Sequence, residues 1–223
     1  MISNNLGFCR LESIKYEKIS DFSLRQFKYN SSYIVMCGIV GIYLKTKKYE
    51  KSLGTFLSGM LNNMETRGPD SAGFAIYTKE IKNQYKYSIC LNKLDESDFK
   101  KKINKFIKNT KINKFADHII LGTNEKPARV LKILKESFKE VSLVGYGKSI
   151  NIFKQTGNPK DIVKKFQLSS FSGSHGIGHT RMATESAVTT EGSHPYSTAE
   201  DECLVHNGSL SNHNNCLLYT SPS

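Results

Sequence analysis

Apolar positions divide the chain after residue 35 into short strands and amphipathic helices. The run from residue 39 to residue 44 predicts a buried strand. Between residues 47 and 66 the apolar residues recur at helical spacing, which predicts an amphipathic helix of about four turns. That helix should end at Arg67-Gly68-Pro69, because glycine can close a helix and proline cannot continue it. We expect a tight turn at residues 70–73 and a second strand at residues 74–77.

The pattern is looser in the second half of the chain. Residues 141–144 and 149–153, separated by Gly145-Tyr146-Gly147, predict a β-hairpin. A strand should begin at Gly176 and end among polar residues, and residues 203–205 predict a short buried strand that leads into His206-Asn207-Gly208. The other expected elements are a strand at 85–91 and short helices around 99–107, after Pro127 and at 161–166.

The chain carries a formal net charge of +12, which invites a nucleic-acid-binding interpretation. About two-thirds of the excess lies between residues 79 and 140, which hold 16 Lys and Arg residues against 8 acidic ones. These lysines alternate with Asn and Ile in helix-like segments, without the aromatic-glycine pattern of an RNA-binding sheet. Solvated helix faces therefore explain the charge, and we predict no nucleic-acid partner.

Other bulk properties suggest a cytoplasmic protein. No apolar run reaches the length of a membrane span, and residues 1–35 lack the continuous apolar segment of a signal peptide. The five cysteines are an odd number without paired spacing, so they indicate neither a disulfide framework nor a zinc site. We predict no membrane partner, no metal and no cofactor on this chain.

Cys37 stands out because it lies at the edge of an apolar run, directly after Met36. Removal of that methionine would leave Cys37 with its thiol and a free α-amine on the same residue. Such an amine titrates close to the thiol and can take the thiol proton, as in enzymes whose N-terminal residue is the nucleophile. The alternative is a small apolar residue without chemistry.

Three motifs together resemble the class II glutamine amidotransferases, which are N-terminal nucleophile hydrolases. They are Cys37-Gly38-Ile39-Val40-Gly41, Arg67-Gly68-Pro69-Asp70-Ser71-Ala72-Gly73, and Gly178-His179-Thr180-Arg181-Met182-Ala183-Thr184 followed by Val205-His206-Asn207-Gly208. Within this family the chain looks most similar to the amidotransferase subunit related to glutamate synthase and N-methylglutamate synthase. The run from Gly178 to Gly192, continuing to His194-Pro195, suggests that branch.

The resemblance implies an α+β fold, a four-layer αββα sandwich of two antiparallel sheets between helical layers. It assigns residues 36–215 to an incomplete type 2 amidotransferase domain. Residues 1–35 are then a propeptide, upstream sequence translated from a wrongly chosen start, or a genuine extension. Residues 216–223 look like non-native read-through. The domain would be truncated, because too few residues follow Gly208 to supply the family's aspartate for the glutamine α-amine.

The resemblance also implies roles for individual residues. Cys37 would be the nucleophile, with Asn207 and Gly208 as the oxyanion pair, although Asn-Gly alone is typical of a hairpin turn. Arg181 would bind the glutamine α-carboxylate through its planar guanidinium, a geometry that lysine lacks. The remaining implied pocket residues are Met182 and Thr184.

Two further sets of residues leave a structural alternative open. Arg67 would either orient Asn207 or simply provide a cation at a helix C-terminus. His179, His194 and His206 could suggest a Cys–His dyad, but the resemblance gives the proton transfer to the α-amine and leaves the histidines structural.

The expected function is therefore glutamine hydrolysis through a γ-glutamyl thioester, with ammonia released to a partner synthase. For the glutamate-synthase-like branch that partner would carry flavin, with iron–sulfur clusters as a further option. The alternatives are a non-catalytic regulatory or assembly subunit that keeps the fold, a basic RNA-associated protein, and an N-terminal nucleophile hydrolase acting on another amide.

Overall fold

The computed structural model describes residues 37–183 and 187–208, which form ten strands and four α-helices. Eight of the strands form two four-stranded sheets, both antiparallel. The first has the order β1–β8–β2–β7, with β1 at Gly38–Tyr43, β8 at His175–Arg181, β2 at Ser71–Tyr77 and β7 at Ile150–Thr156. The second has the order β4–β5–β3–β6, with β4 at Lys111–Phe115, β5 at His118–Thr123, β3 at Tyr85–Cys90 and β6 at Ser142–Gly147.

The remaining elements are shorter. Strands β9 (Tyr196–Ala199) and β10 (Glu202–Leu204) pair with each other. The α-helices are α1 (Leu53–Asn62), α2 (Glu96–Ile103), α3 (Pro127–Ser137) and α4 (Pro159–Lys165), and 3₁₀ helices occupy Lys47–Ser52 and Leu168–Ser170. Among the described residues, no helix combines the length and the apolar composition needed to cross a membrane.

Three apolar clusters show how these elements pack. One joins α1 and α4 to the first sheet, and a second joins α2 and α3 to the second sheet. The third contains residues of both sheets, including Ala75 of β2, Ile152 of β7 and Val144 of β6. The backbone N–H of Ile152 also donates to Ser88 Oγ of β3 at 2.9 Å. This mixed arrangement of helices and antiparallel sheets is compatible with the predicted four-layer αββα sandwich.

The predicted hairpin at residues 141–153 is wrong. Strand β6 pairs with β3, whereas β7 pairs with β2 in the other sheet. The link between them is held by Asp201, whose carboxylate accepts the backbone N–H groups of Lys148, Ser149 and Ile150 at 2.8–2.9 Å. Because these N–H groups bond to a side chain, the chain can leave one sheet and enter the other without a two-stranded turn.

Other boundaries also differ from expectation. The helix predicted at residues 47–66 begins as a 3₁₀ helix, and its α-helical part is only Leu53–Asn62. The turn predicted at residues 70–73 is mostly strand, because β2 already begins at Ser71. The strand predicted as buried near Cys203 is exposed, with Leu204 54% accessible. The pattern missed β4, where lysines on an edge strand hide the alternation.

Candidate active site

One face of the first sheet collects the predicted site residues at the ends of β1 and β8. A side chain at Gly176 or Gly178 would run into Leu57 or Leu61 of α1, so the even-numbered positions of β8 face the helices. Because side chains alternate along a strand, His179 and Arg181 lie on the opposite face.

The Cys37 thiol is held by the backbone of Met182. The N–H of Met182 donates to Cys37 Sγ at 3.4 Å, and the thiol in turn points at the Met182 carbonyl oxygen at 3.6 Å. This contact follows from the register of the sheet, since Gly38 of β1 lies opposite Thr180 of β8. The cysteine just before β1 is therefore beside the first residue after β8, and Met182 reaches it through main-chain atoms.

Asn207 reaches the same place from the end of the described chain. Its side-chain Nδ2 donates to the carbonyl oxygen of Cys37 at 2.9 Å. Gly208 follows with φ +128°, a backbone conformation that side-chain-bearing residues rarely adopt. Both residues are exposed. The two residues predicted to form an oxyanion pair thus lie beside the predicted nucleophile, on a surface open to solvent.

The side chain of His179 binds the segment that contains Asn207 and Gly208. Its Nε2 lies 2.8 Å from the carbonyl oxygen of His206. A carbonyl oxygen only accepts hydrogen bonds, so Nε2 carries the proton and donates. Burial holds the pKa of His179 down to about 4, which leaves the ring neutral near pH 7.

Arg181 is 9% accessible and lies at the end of β8. Its guanidinium donates to the carbonyl oxygen of Ala187 at 3.4 Å. Ala187 begins a segment that we call the strap, residues 187–195, which crosses the same face of the sheet. The predicted carboxylate-binding residue therefore lies against the strap.

Lys154 of β7 fixes the other part of the strap. Its Nζ donates to the carbonyl oxygens of Glu191 at 3.0 Å and Ser193 at 2.8 Å, and it lies 4.7 Å from the centroid of the Tyr196 ring. Burial lowers the pKa of Lys154 to about 8. The amine keeps its two carbonyl partners in either protonation state, because both forms carry N–H donors.

Gly73 of β2 gives the strap room to approach the sheet. It lies between His179 and Lys154 in the strand register. A Cβ atom at Gly73 would come within 2.2 Å of the carbonyl oxygen of His194. The ring of His194 contacts the ring of His179, with 4.2 Å between centroids. The strap and the Asn207 segment are thus joined through two histidine rings.

Asp70 pins the chain just after β8. Its backbone N–H donates to the Arg181 carbonyl oxygen at 3.1 Å, and its carboxylate accepts the N–H of Ala183 at 2.8 Å. Gly68 makes this approach possible, because a Cβ there would lie 2.5 Å from the backbone of Thr180. Arg67 is exposed, and among the described residues no hydrogen bond joins its side chain to Asn207, so its orienting role stays a prediction.

Some predicted features lie outside the described residues. Thr184 falls in the gap at residues 184–186. The predicted segments 1–35 and 216–223 also lie outside the described residues. The structure brings together Cys37, Met182, Arg181, Asn207 and Gly208.

A second cluster of potential ligand atoms was not visible in the sequence spacing. Cys90, Asp117 and His118 lie with their ligand atoms within 4.8 Å of one another, because Cys90 of β3 pairs with His118 of β5. Both Asp117 oxygens already have protein partners, His118 Nδ1 at 2.9 Å and Gln155 Nε2 at 2.8 Å. These bonds satisfy the carboxylate without an ion.

Comparison with known proteins identifies relatives of the chain. Over 183 residues it is 46% identical to the glutamine amidotransferase-like protein GlxB of Rhizobium meliloti. The aligned region covers 81% of the chain and 61% of that protein. The chain is similar to glutamine amidotransferases. Over 192 residues it is also 29% identical to a candidate glutamine amidotransferase of Methanothermobacter thermautotrophicus, covering 80% of the chain and 63% of the relative.

A shorter similarity reaches a relative with a different name. The chain is 34% identical over 99 residues to the isomerizing glutamine–fructose-6-phosphate aminotransferase of Methanococcus maripaludis, covering 40% of the chain and 16% of that protein. No protein-family model matches the chain. The chain spans less than two-thirds of the length of each of these three relatives.

Proposed function

We propose that this chain carries the glutamine-hydrolysing site of a class II amidotransferase, with Cys37 as its nucleophile. The observation that carries this proposal is the bond of 2.9 Å from Asn207 Nδ2 to the Cys37 carbonyl oxygen. It places an amide donor, distant in sequence, directly beside the cysteine that the sequence singles out. The amidotransferase relatives give independent support.

The reaction begins with a free Cys37 α-amine, which requires removal of the residues before it. The amine takes the thiol proton, and the thiolate attacks the side-chain amide carbon of glutamine. The proton then goes to the departing nitrogen, which leaves as ammonia while a γ-glutamyl thioester forms. Water hydrolyses the thioester, giving glutamate and the free thiol. The Met182 N–H helps to hold the sulfur in place, and such a bond strengthens when the sulfur is charged.

Asn207 and Gly208 stabilise the oxyanion of the tetrahedral intermediate. The Asn207 amide has two N–H bonds; one donates to Cys37, and the second has no hydrogen-bond partner among the described residues. Gly208 contributes its backbone N–H in a conformation suited to glycine. Donors fixed before the reaction stabilise developing charge without reorganisation.

Arg181 binds the α-carboxylate of glutamine, and Met182 and Thr184 line the pocket beside it. The buried stem of Arg181 and its contact with Ala187 restrict the guanidinium to the strap side of the site. A fixed planar fork can hold both oxygens of a carboxylate at once. This gives selectivity for amides that carry a free α-carboxylate.

The ammonia passes to a partner synthase. The assignment we propose is a glutamate-synthase-like enzyme. Its partner carries flavin, with iron–sulfur clusters as a further option, and this chain carries no cofactor. Asn207 and Gly208 are exposed, so a partner can contact the site there.

The test is release of glutamate from glutamine by the full-length natural protein, after mass spectrometry has shown that its first residue is Cys37. Cys37→Ser should lower turnover at least about 100-fold, because a hydroxyl is much harder to deprotonate than a thiol. Cys203→Ser is the matched control and should keep wild-type activity. Absence of hydrolysis in protein that begins at Cys37 would favour the non-catalytic subunit instead.

A further inference from the structure

We propose that His179 is a positioning residue, whose Nε2–H holds the His206 carbonyl and thereby fixes Asn207 and Gly208 beside Cys37. This inference rests on the proposed function, since it assigns the support of the oxyanion pair. It concerns a side chain whose motif position alone indicates no such role.

The geometry of the His179 bond supports this role. The ring is fully buried, and the Nε2–O distance to His206 is 2.8 Å. His179 lies opposite Ile39 of β1 in the sheet, so it is fixed to the same two strands that carry Cys37 and Arg181. The bond therefore links the residue before Asn207 to the paired strands β1 and β8.

Residues 205–208 depend on few such links. They follow β10 without regular secondary structure, and Asn207 and Gly208 are exposed. In the described part of the chain, two hydrogen bonds tie these residues to the first sheet, from His179 to His206 and from Asn207 to Cys37. Loss of the first would leave, among the described residues, only the bond of the Asn207 amide between this segment and the first sheet. Segments held by few hydrogen bonds detach from the rest of the fold easily.

The same bond argues against His179 as the base for Cys37. Its Nε2 proton is committed to a carbonyl oxygen, and its Nδ1 is buried without a hydrogen-bond partner among the described residues. A ring in this state has neither nitrogen directed at the thiol. The arrangement suits a fixed donor and not a proton shuttle.

The test compares three variants of the full-length protein. His179→Phe keeps a ring but removes the donor, and we expect kcat to fall about 10- to 100-fold, since small displacements of catalytic groups have effects of this size. The KM for glutamine should change less than about threefold, because Arg181 is untouched. His179→Gln should recover most of kcat, since its amide N–H can reach the same carbonyl. His175→Phe, on the same strand but stacked on Tyr77, should behave as wild type.

A second readout does not depend on activity. Backbone ¹⁵N relaxation at residues 206–208 should report larger fast motions in His179→Phe than in the wild type, while β8 stays unchanged. Unchanged order parameters at residues 206–208 would overturn the inference. So would a loss of kcat that His179→Gln fails to restore. If the wild type did not hydrolyse glutamine, the proposed function would fail, and the relaxation data alone would still decide whether His179 holds the segment.

Discussion

Cys37 Sγ lies 3.4 Å from the backbone nitrogen of Met182, although 145 residues separate the two in sequence. Sheet pairing produces this contact, because β1 and β8 are antiparallel and the start of β1 lies beside the end of β8. The predicted nucleophile is thus held by a main-chain donor just after the end of β8. Asn207, which lies after β10, donates a hydrogen bond from its side-chain Nδ2 to the Cys37 carbonyl oxygen.

Replacement of Asn207 should affect turnover more than binding. In Asn207→Ala the oxyanion loses a donor, and kcat should fall about 100-fold or more while the KM for glutamine changes little. Asn207→Asp has nearly the same shape but places negative charge beside the oxyanion, so its loss should be at least as large. Steady-state glutamate release measures both variants. A kcat within about threefold of wild type for either would show that Asn207 is not an oxyanion donor.

Replacement of Arg181 should affect recognition of the α-carboxylate. Arg181→Lys keeps the charge but loses the planar fork, so we expect the KM for glutamine to rise about tenfold or more. Arg129→Lys, an exposed arginine paired with Glu125, is the matched control. An amide substrate without an α-carboxylate should be turned over equally by wild type and Arg181→Lys. Equal loss for both substrates would mean that Arg181 has only a structural role.

Gly73→Ala tests the close approach of the strap to strand β2. The added methyl group would meet the His194 carbonyl oxygen and the Phe153 carbonyl oxygen, neither of which belongs to a flexible side chain. Either the strap moves away from Arg181, raising the KM for glutamine, or the protein loses about 1–3 kcal/mol of stability through overpacking. Gly41→Ala is the control, since its Cβ would meet nothing closer than 3.9 Å. Wild-type kinetics together with a wild-type unfolding midpoint would contradict the described contact.

Acid should destabilise the protein partly through His194. Burial holds its pKa down to about 3, and that of His179 to about 4, against the ordinary value of 6.5. Below pH 6.5 the unfolded chain takes up protons that the folded chain refuses, so stability falls as the pH drops from about 6.5 towards 3. His194→Phe removes one of these groups. Urea unfolding at pH 7 and pH 4.5 should show a smaller loss of stability in the variant, and an equal loss would contradict the burial of the ring.

Much of the secondary structure follows from local patterns, but sheet membership does not. The predicted strand at residues 85–91 and the helix after Pro127 are present as β3 and α3. The predicted hairpin failed because Asp201, about fifty residues further on, binds the link between β6 and β7. No local pattern contains that information. The lysines of β4 similarly conceal a strand whose position at the sheet edge tolerates them.

The residues of the candidate site also fall into two groups, those that the sequence motifs indicated and those that only the structure shows. The sequence motifs singled out Cys37, Arg181 and Asn207, and the structure brings these residues to one end of one sheet. Asp70, His179 and Lys154 received no specific supporting role, because each binds main-chain atoms of a distant segment. A backbone carbonyl or N–H has no residue identity, so such contacts leave no signal at the partner position.

The central claim is that Cys37 attacks the side chain of glutamine. The most direct test treats the full-length protein with a glutamine analogue whose side chain ends in a diazoketone, and measures its intact mass and peptide map. We expect one adduct per chain, on an N-terminal Cys37, with labelling slowed by excess glutamine. An adduct on Cys90 or Cys203, or no adduct in protein that begins at Cys37, would contradict it.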